Sequence, residues 1–274
     1  MPFSICEFER EKKEFITLKA LSEDDYNLIR SYIERDLAAS QEVIYCIIVR
    51  DNLNEFFSMV SNYKDGDEKA RFDYDRVLLN WINSFYCWIE FHENNYKDIF
   101  APIKTKYYDN WFEYRFAYEL RRYLTHGKMT RNMVGHASFL TGSFLLMVSD
   151  MIQNAKKMKP AIKGELIKDT KGLLDLEDFA EKFLIMFTQC QEETWESITA
   201  EAKEKSKQLK AFIETLPLST YGHLLYEKTD DREGYSAIDG LPDTLSKIEN
   251  RFLYPAWLLK HPKVDKTLCP YIMG

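Results

Sequence analysis

Arg121 and His126 lie near the end of one periodic segment, WFEYRFAYELRRYLTHG, residues 111 to 127. The pair suits chemistry at a phosphate. An imidazole with an ordinary pKa of about 6.5 gives and takes protons near neutrality. A guanidinium offers a fixed fork of donors to phosphate oxygens and stabilises charge as it develops there. Around the pair, Glu119, Arg122, Tyr123, Lys128 and Arg131 are candidates for support. Glu119 suits orienting an arginine, Tyr123 suits a hydrogen bond or a stacked base, and Lys128 and Arg131 suit positioning a backbone. Read as structure alone, His126 is a side chain whose positive form is favoured at a helix C-terminus.

The element that must position these residues is a helix. Phe112, Phe116, Leu120, Tyr123 and Leu124 recur at helical intervals with one apolar face. Gly127 is the expected left-handed C-cap, so the helix is predicted to stop directly after His126. On a continuous helix, residues 121 and 126 point roughly 140° apart. A shared site therefore requires the terminal residue to leave helical geometry and swing back, whereas Arg122 shares the face of His126 without that help.

This Arg-x4-His ending, with an aromatic helix before it and an apolar segment after it, resembles the HEPN superfamily over residues 75 to 157. The resemblance implies an all-helical, usually dimeric protein of a group that includes metal-independent ribonucleases of bacterial toxin and abortive-infection systems. It implies Arg121 and His126 as the catalytic pair, RNA as substrate, no cofactor and no metal. It also implies a homodimer with two such helices facing a shared cleft, and an antitoxin as a candidate partner. In that chemistry the ribose 2′-hydroxyl attacks the adjacent phosphorus, with the histidine handling the proton and the arginine the added charge. One departure stands out: the position after the arginine, commonly Asn, Asp or His, is Arg122 here. The competing reading is a non-catalytic RNA- or protein-binding helical module, with Arg122 as the mark of a lost active site. A third is a structural or antitoxin-like partner.

Composition frames these readings. With 45% hydrophobic and 15% aromatic residues the 274-residue chain is not disordered, and 10 Gly and 8 Pro are few for a β-rich protein. The expected fold is all-α: an antiparallel bundle with extra N- and C-terminal helices and an irregular C-terminal tail. Five scattered cysteines form neither a CxxC nor a disulfide framework. The charged N-terminal segment does not read as a signal peptide, and no apolar run is long enough to span a bilayer. A cytoplasmic protein without membrane contact is therefore expected. Net charge is −7, yet residues 97–171 hold 14 Lys and Arg against 7 Asp and Glu, a net of +7, leaving −14 for the rest. A basic middle suits phosphate neutralisation.

Along the chain three segments are expected: residues 1–72 as a helical segment packing on the bundle, 73–160 as the HEPN-like core, and 161–274 as a helical extension with its tail. Residues 1 to 21 are mixed. Ser22 and Asp25 resemble a capping box that opens a helix toward Val60, and residues 62–67 are expected to be a loop. Val77, Leu78, Trp81, Phe85, Trp88 and Ile89 predict a helix from Asp73 to Asn94, and Asn94, Asn95 and Pro102 mark a connection. The apolar centre of residues 134–158 predicts a buried third helix. Lysine-rich residues 156–171 are a candidate linker or basic lip, and Asp175 opens a helix reaching Leu216. Phe252, Tyr254 and Trp257 are expected to anchor the tail. His92 and Glu93 lack a second histidine at zincin spacing, and no Walker, Gly-x-Ser-x-Gly or Gly-rich phosphate loop is present.

Overall fold

The computed structural model describes residues 3–62, 68–126, 134–136, 144–147, 152, 158–170, 172–228 and 233–247. In chain order the elements are β1 (Phe3–Glu9), β2 (Glu14–Ala20), α1 (Glu23–Asn62), α2 (Glu68–Asn95), α3 (Lys97–Asn110) and α4 (Phe112–His126). They continue with β3 (Val134–His136), β4 (Phe144–Met147), α5 (Pro160–Thr170), β5 (Leu173–Asp175), α6 (Leu176–Ile213), β6 (Leu224–Lys228), β7 (Glu233–Ala237) and α7 (Leu241–Ser246). The protein is mainly helical. Its described residues form two compact units, one of residues 3–43 with 195–247 and one drawn from residues 44–194. The three expected segments run contiguously along the chain, whereas the first unit joins stretches from both halves.

That first unit corrects the all-α expectation. It holds a four-stranded antiparallel sheet in the order β2-β1-β6-β7. The supposedly mixed N-terminus forms a hairpin, with Phe8 opposite Phe15 and Glu9 opposite Glu14. Lys13, at φ 58°, closes the turn. Inward residues Ile5 and Leu225 join Tyr26, Ile29, Leu216 and Ile238 in an apolar cluster. FITL in β2 carries β-branched and aromatic residues that favour a pleated, half-buried surface. Ser22 caps α1, its Oγ accepting the Asp25 backbone N–H at 3.1 Å. The tail expected to be irregular supplies β6, β7 and α7; its proposed anchors Phe252, Tyr254 and Trp257 lie outside the described residues.

The second unit is built on aromatic helix packing. All six apolar positions predicted for α2 are buried. Trp81 is central, with ring centroids 5.0 Å from Phe56, 5.0 Å from Phe183 and 5.8 Å from Phe179. α2, α3 and α4 follow one another almost without loops. Tyr96 alone separates the first two, and Trp111, in extended conformation, separates the next two. Asp175 caps α6 by accepting the backbone N–H groups of Glu177 and Asp178 at 2.9 and 3.2 Å.

Three expectations here are corrected. Pro102 lies inside α3, not in a connection. It stands on an exposed face, where water can satisfy the carbonyl that its missing N–H leaves unpaired. The buried third helix is replaced, where residues 134–158 are described, mainly by β3 and β4, which join β5 in the order β3-β4-β5. A short apolar run such as FLLM reads equally well as a buried helix or a buried strand, and Gly135 and Gly142 nearby disfavour a helix. The lysine-rich linker is largely α5, opened by Pro160 at a position where its missing N–H costs nothing.

Arg115 ties three of these elements together. Its Nη1 donates to the carbonyls of Tyr108 (2.7 Å) and Asp109 (2.9 Å) at the end of α3. Its Nε and Nη2 form a two-pronged pair with Glu165 of α5. The side chain is 13% exposed. Arg115→Ala is expected to cost about 2–3 kcal/mol, because charge-assisted bonds are lost and their acceptors stay partly shielded. Arg115→Lys should recover less than half of this, since an ammonium cannot span both acceptors. Urea denaturation of the three proteins measures the difference.

Candidate functional site

The C-terminal part of α2, one face of α3 and the second half of α4 enclose a concavity of about 750 Å³. α3 contributes Lys97, Ala101, Lys104, Thr105 and Tyr108, whose spacing keeps them on one stripe of the helix. α4 contributes the consecutive Tyr118 and Glu119 and, one turn on, Arg122. Glu93 of α2, Asp109 at the end of α3 and Lys159, just before α5, complete the wall.

Four cations and three carboxylates therefore share the space with two phenol rings. Glu119, only 4% exposed, accepts from Arg122 Nη1 on both carboxylate oxygens at 3.3 Å. Glu93 pairs with Lys104, whose ammonium lies 5.9 Å from the Tyr118 ring centroid. Lys159 donates to the Tyr108 hydroxyl at 2.9 Å and lies 4.8 Å from the centre of that ring. That hydrogen bond, with the Glu119 carboxylate behind it, pushes the Lys159 ammonium above the usual lysine range. Two of the cations, Lys104 and Lys159, are thus held over aromatic faces, where a planar ligand and an anion can be met together.

Of the residues read from sequence, Glu119 and Arg122 lie in this wall. Arg121 is directed elsewhere: its guanidinium carbon sits 3.8 Å from the Tyr86 ring centroid, a cation–π stack. Tyr86 in turn lies 5.5 Å from Tyr118, so Arg121 backs the wall without lining it. Burial, and after it the neighbouring Tyr118, pushes the Tyr86 phenol up, keeping its proton in place. The described part of α4 runs to His126, and the predicted cap at Gly127 lies outside the described residues. The side chains of His126 and Tyr123, together with Gly127, Lys128 and Arg131, lie outside the described residues, and so does any approach of the imidazole to Arg121.

Sequence reasoning did not single out Lys97, Lys104, Lys159, Tyr108 or Tyr118. A signal existed for two of them, since Lys97 and Lys104 are two turns apart on one helix face. Lys159 arrives from a distant part of the chain and carried none. Most of the aromatics of residues 107–122 pack within this unit. Tyr107, Tyr114 and Phe116 are buried, and Tyr108, Trp111, Phe112 and Tyr118 pack partly against the core. His92 is a core residue, its Nδ1–H donating to the Trp88 carbonyl at 2.7 Å. Among the described residues no cluster of His, Cys, Asp or Glu has the arrangement of a metal site. None of their helices is long and apolar enough to cross a membrane.

No protein-family model matches the chain, and no curated protein or solved structure compared with it does so either.

Proposed function

We propose that the protein binds single-stranded RNA in the concavity between α3 and α4. The observation that carries this reading is the convergence of Lys97, Lys104, Arg122 and Lys159 around Tyr108 and Tyr118. Phosphate oxygens answer the cations, and bases stack on rings of any sequence. Glu93 and Glu119 moderate the charge and fix where Lys104 and Arg122 point, so the site suits a few phosphates of a flexible strand. The net basic character of residues 97–171 in an acidic chain supports the same reading.

The test is fluorescence anisotropy with a labelled single-stranded RNA across a salt series. Affinity should fall with rising salt at a slope of about 0.7 per phosphate engaged. In the double substitution Lys104→Glu, Arg122→Glu, affinity should drop roughly tenfold or more and the slope should shrink by about 1.4, two contacts' worth. Absent binding would reject RNA and leave a protein partner as the better reading, and binding indifferent to salt and to both substitutions would reject this concavity as its site.

A second reading rests on the resemblance and on α4, a helix that carries both Arg121 and His126. Here the protein is a metal-independent endoribonuclease of HEPN type, in a toxin or phage-defence role, in which bound RNA is cleaved by His126 and Arg121. A homodimer and an antitoxin partner belong to this reading and rest on the resemblance alone.

A further inference from the structure

In the unit that carries the four-stranded sheet, one histidine is held at both ring nitrogens. His223 immediately precedes β6, and its side chain is 11% exposed. Its Nδ1 lies 2.7 Å from Asp239 Oδ1, and its Nε2 lies 2.8 Å from the Pro217 carbonyl oxygen. Its backbone N–H donates to the other Asp239 oxygen at 2.6 Å. A carbonyl has no proton to give, and neither has an ionised carboxylate. Both ring nitrogens must therefore carry hydrogen for both bonds to exist, which only the imidazolium provides.

The surroundings are built for this contact. Gly222 has φ +92°, and a Cβ there would stand 2.8 Å from Asp239 Oδ2. Only glycine combines that backbone conformation with so close an approach of the carboxylate. On the other side of the connector, Glu7 of β1 accepts from the Ser219 hydroxyl at 2.7 Å and the Thr220 N–H at 3.1 Å. The segment 217–223, which leads from α6 to β6, is thus fastened by Asp239 through His223 and by Glu7 through Ser219 and Thr220. The arrangement is not a nucleophile relay. Nε2 is occupied by a carbonyl, and the Ser219 hydroxyl is committed to Glu7.

We infer that His223 is a proton-operated latch on the 217–223 connector, closed while the ring is an imidazolium and released when it becomes neutral. On losing a proton the ring keeps one N–H, so one of its two bonds is replaced by a lone pair facing an oxygen. Burial works against the charged form, but the Pro217 carbonyl, Asp239 and Glu7 outweigh it and raise the His223 pKa above its ordinary value. The stabilisation is accordingly complete below about pH 6.5, the unfolded value, and is lost as pH rises through the raised folded value.

Selective ¹⁵N-histidine labelling of the full chain tests this directly, with His223→Gln assigning the signal. At about pH 6 both His223 ring nitrogens should be protonated, with a titration midpoint above the ordinary value. Amide protection of residues 218–223, normalised to intrinsic exchange, should fall on the order of tenfold through that midpoint, the worth of one charge-assisted hydrogen bond. Asp239→Asn should move the midpoint down, and the fall in protection should move with it, which keeps the test sound should His223→Gln fold poorly. A midpoint at or below the ordinary histidine value overturns the latch. So does a pH profile of protection that is the same in Asp239→Asn as in the wild type.

Discussion

Trp81→Ala is expected to destabilise the helical unit by about 3–5 kcal/mol, the range for truncating a large aromatic in a packed core. Trp81 of α2 is 0% exposed and its indole meets rings from α1 and α6. Few residues can close over a hole shared by three helices, so the cavity term stays near its full size. Trp81→Phe keeps most of the contact and should cost less than half as much. Urea denaturation followed by far-ultraviolet circular dichroism reads both, as a lower midpoint at unchanged slope. A loss under about 1 kcal/mol for the alanine variant would mean that Trp81 is not the centre of this core.

The second large effect concerns cleavage. If His126 transfers the proton, His126→Ala should cleave RNA roughly 10²-fold or more slowly than the wild type, with EDTA present and binding unchanged. A matched substrate lacking the 2′-hydroxyl should bind but remain intact, because that hydroxyl is the nucleophile. Arg121→Ala is more informative still. Its guanidinium stacks on Tyr86 and does not line the basic wall, so the catalytic reading requires the scissile phosphate to reach that stack or the guanidinium to leave it. Equal cleavage by wild type and His126→Ala, or cleavage only with added metal, ends the catalytic reading and leaves RNA binding standing by itself.

Helical periodicity made the aromatic core legible. The six apolar positions of α2 and the caps at Ser22 and Asp175 could be placed because each depends on residues within a turn or two. The sheet was not legible. β1 pairs with β6, and nothing in FSICEFE announces a partner in LLYEK. Pro102 misled because proline usually interrupts a helix, and the rule yields where water can take the orphan carbonyl. For the site, Glu119 and Arg122 were visible as charges beside a helix end. The companion cations and rings from α3 and residue 159 become neighbours only once α3 folds back along α4 through the single residue Trp111. Which of two adjacent arginines points inward was likewise beyond spacing, since it is decided by Tyr86 and Glu119 through tertiary contact.

The β1–β6 pairing also sets a timetable for synthesis. Phe3 lies opposite Glu227, so the β1–β2 hairpin emerges long before its third strand exists. At about 5–20 residues per second, a ribosome needs roughly ten to forty-five seconds to cover that gap. Throughout it the outer edge of β1 presents unpaired N–H and C=O groups, a template for pairing with another nascent chain. Residues 44–194 need not wait, and a chain released before β6 keeps the material of the aromatic helical unit but can never complete the sheet.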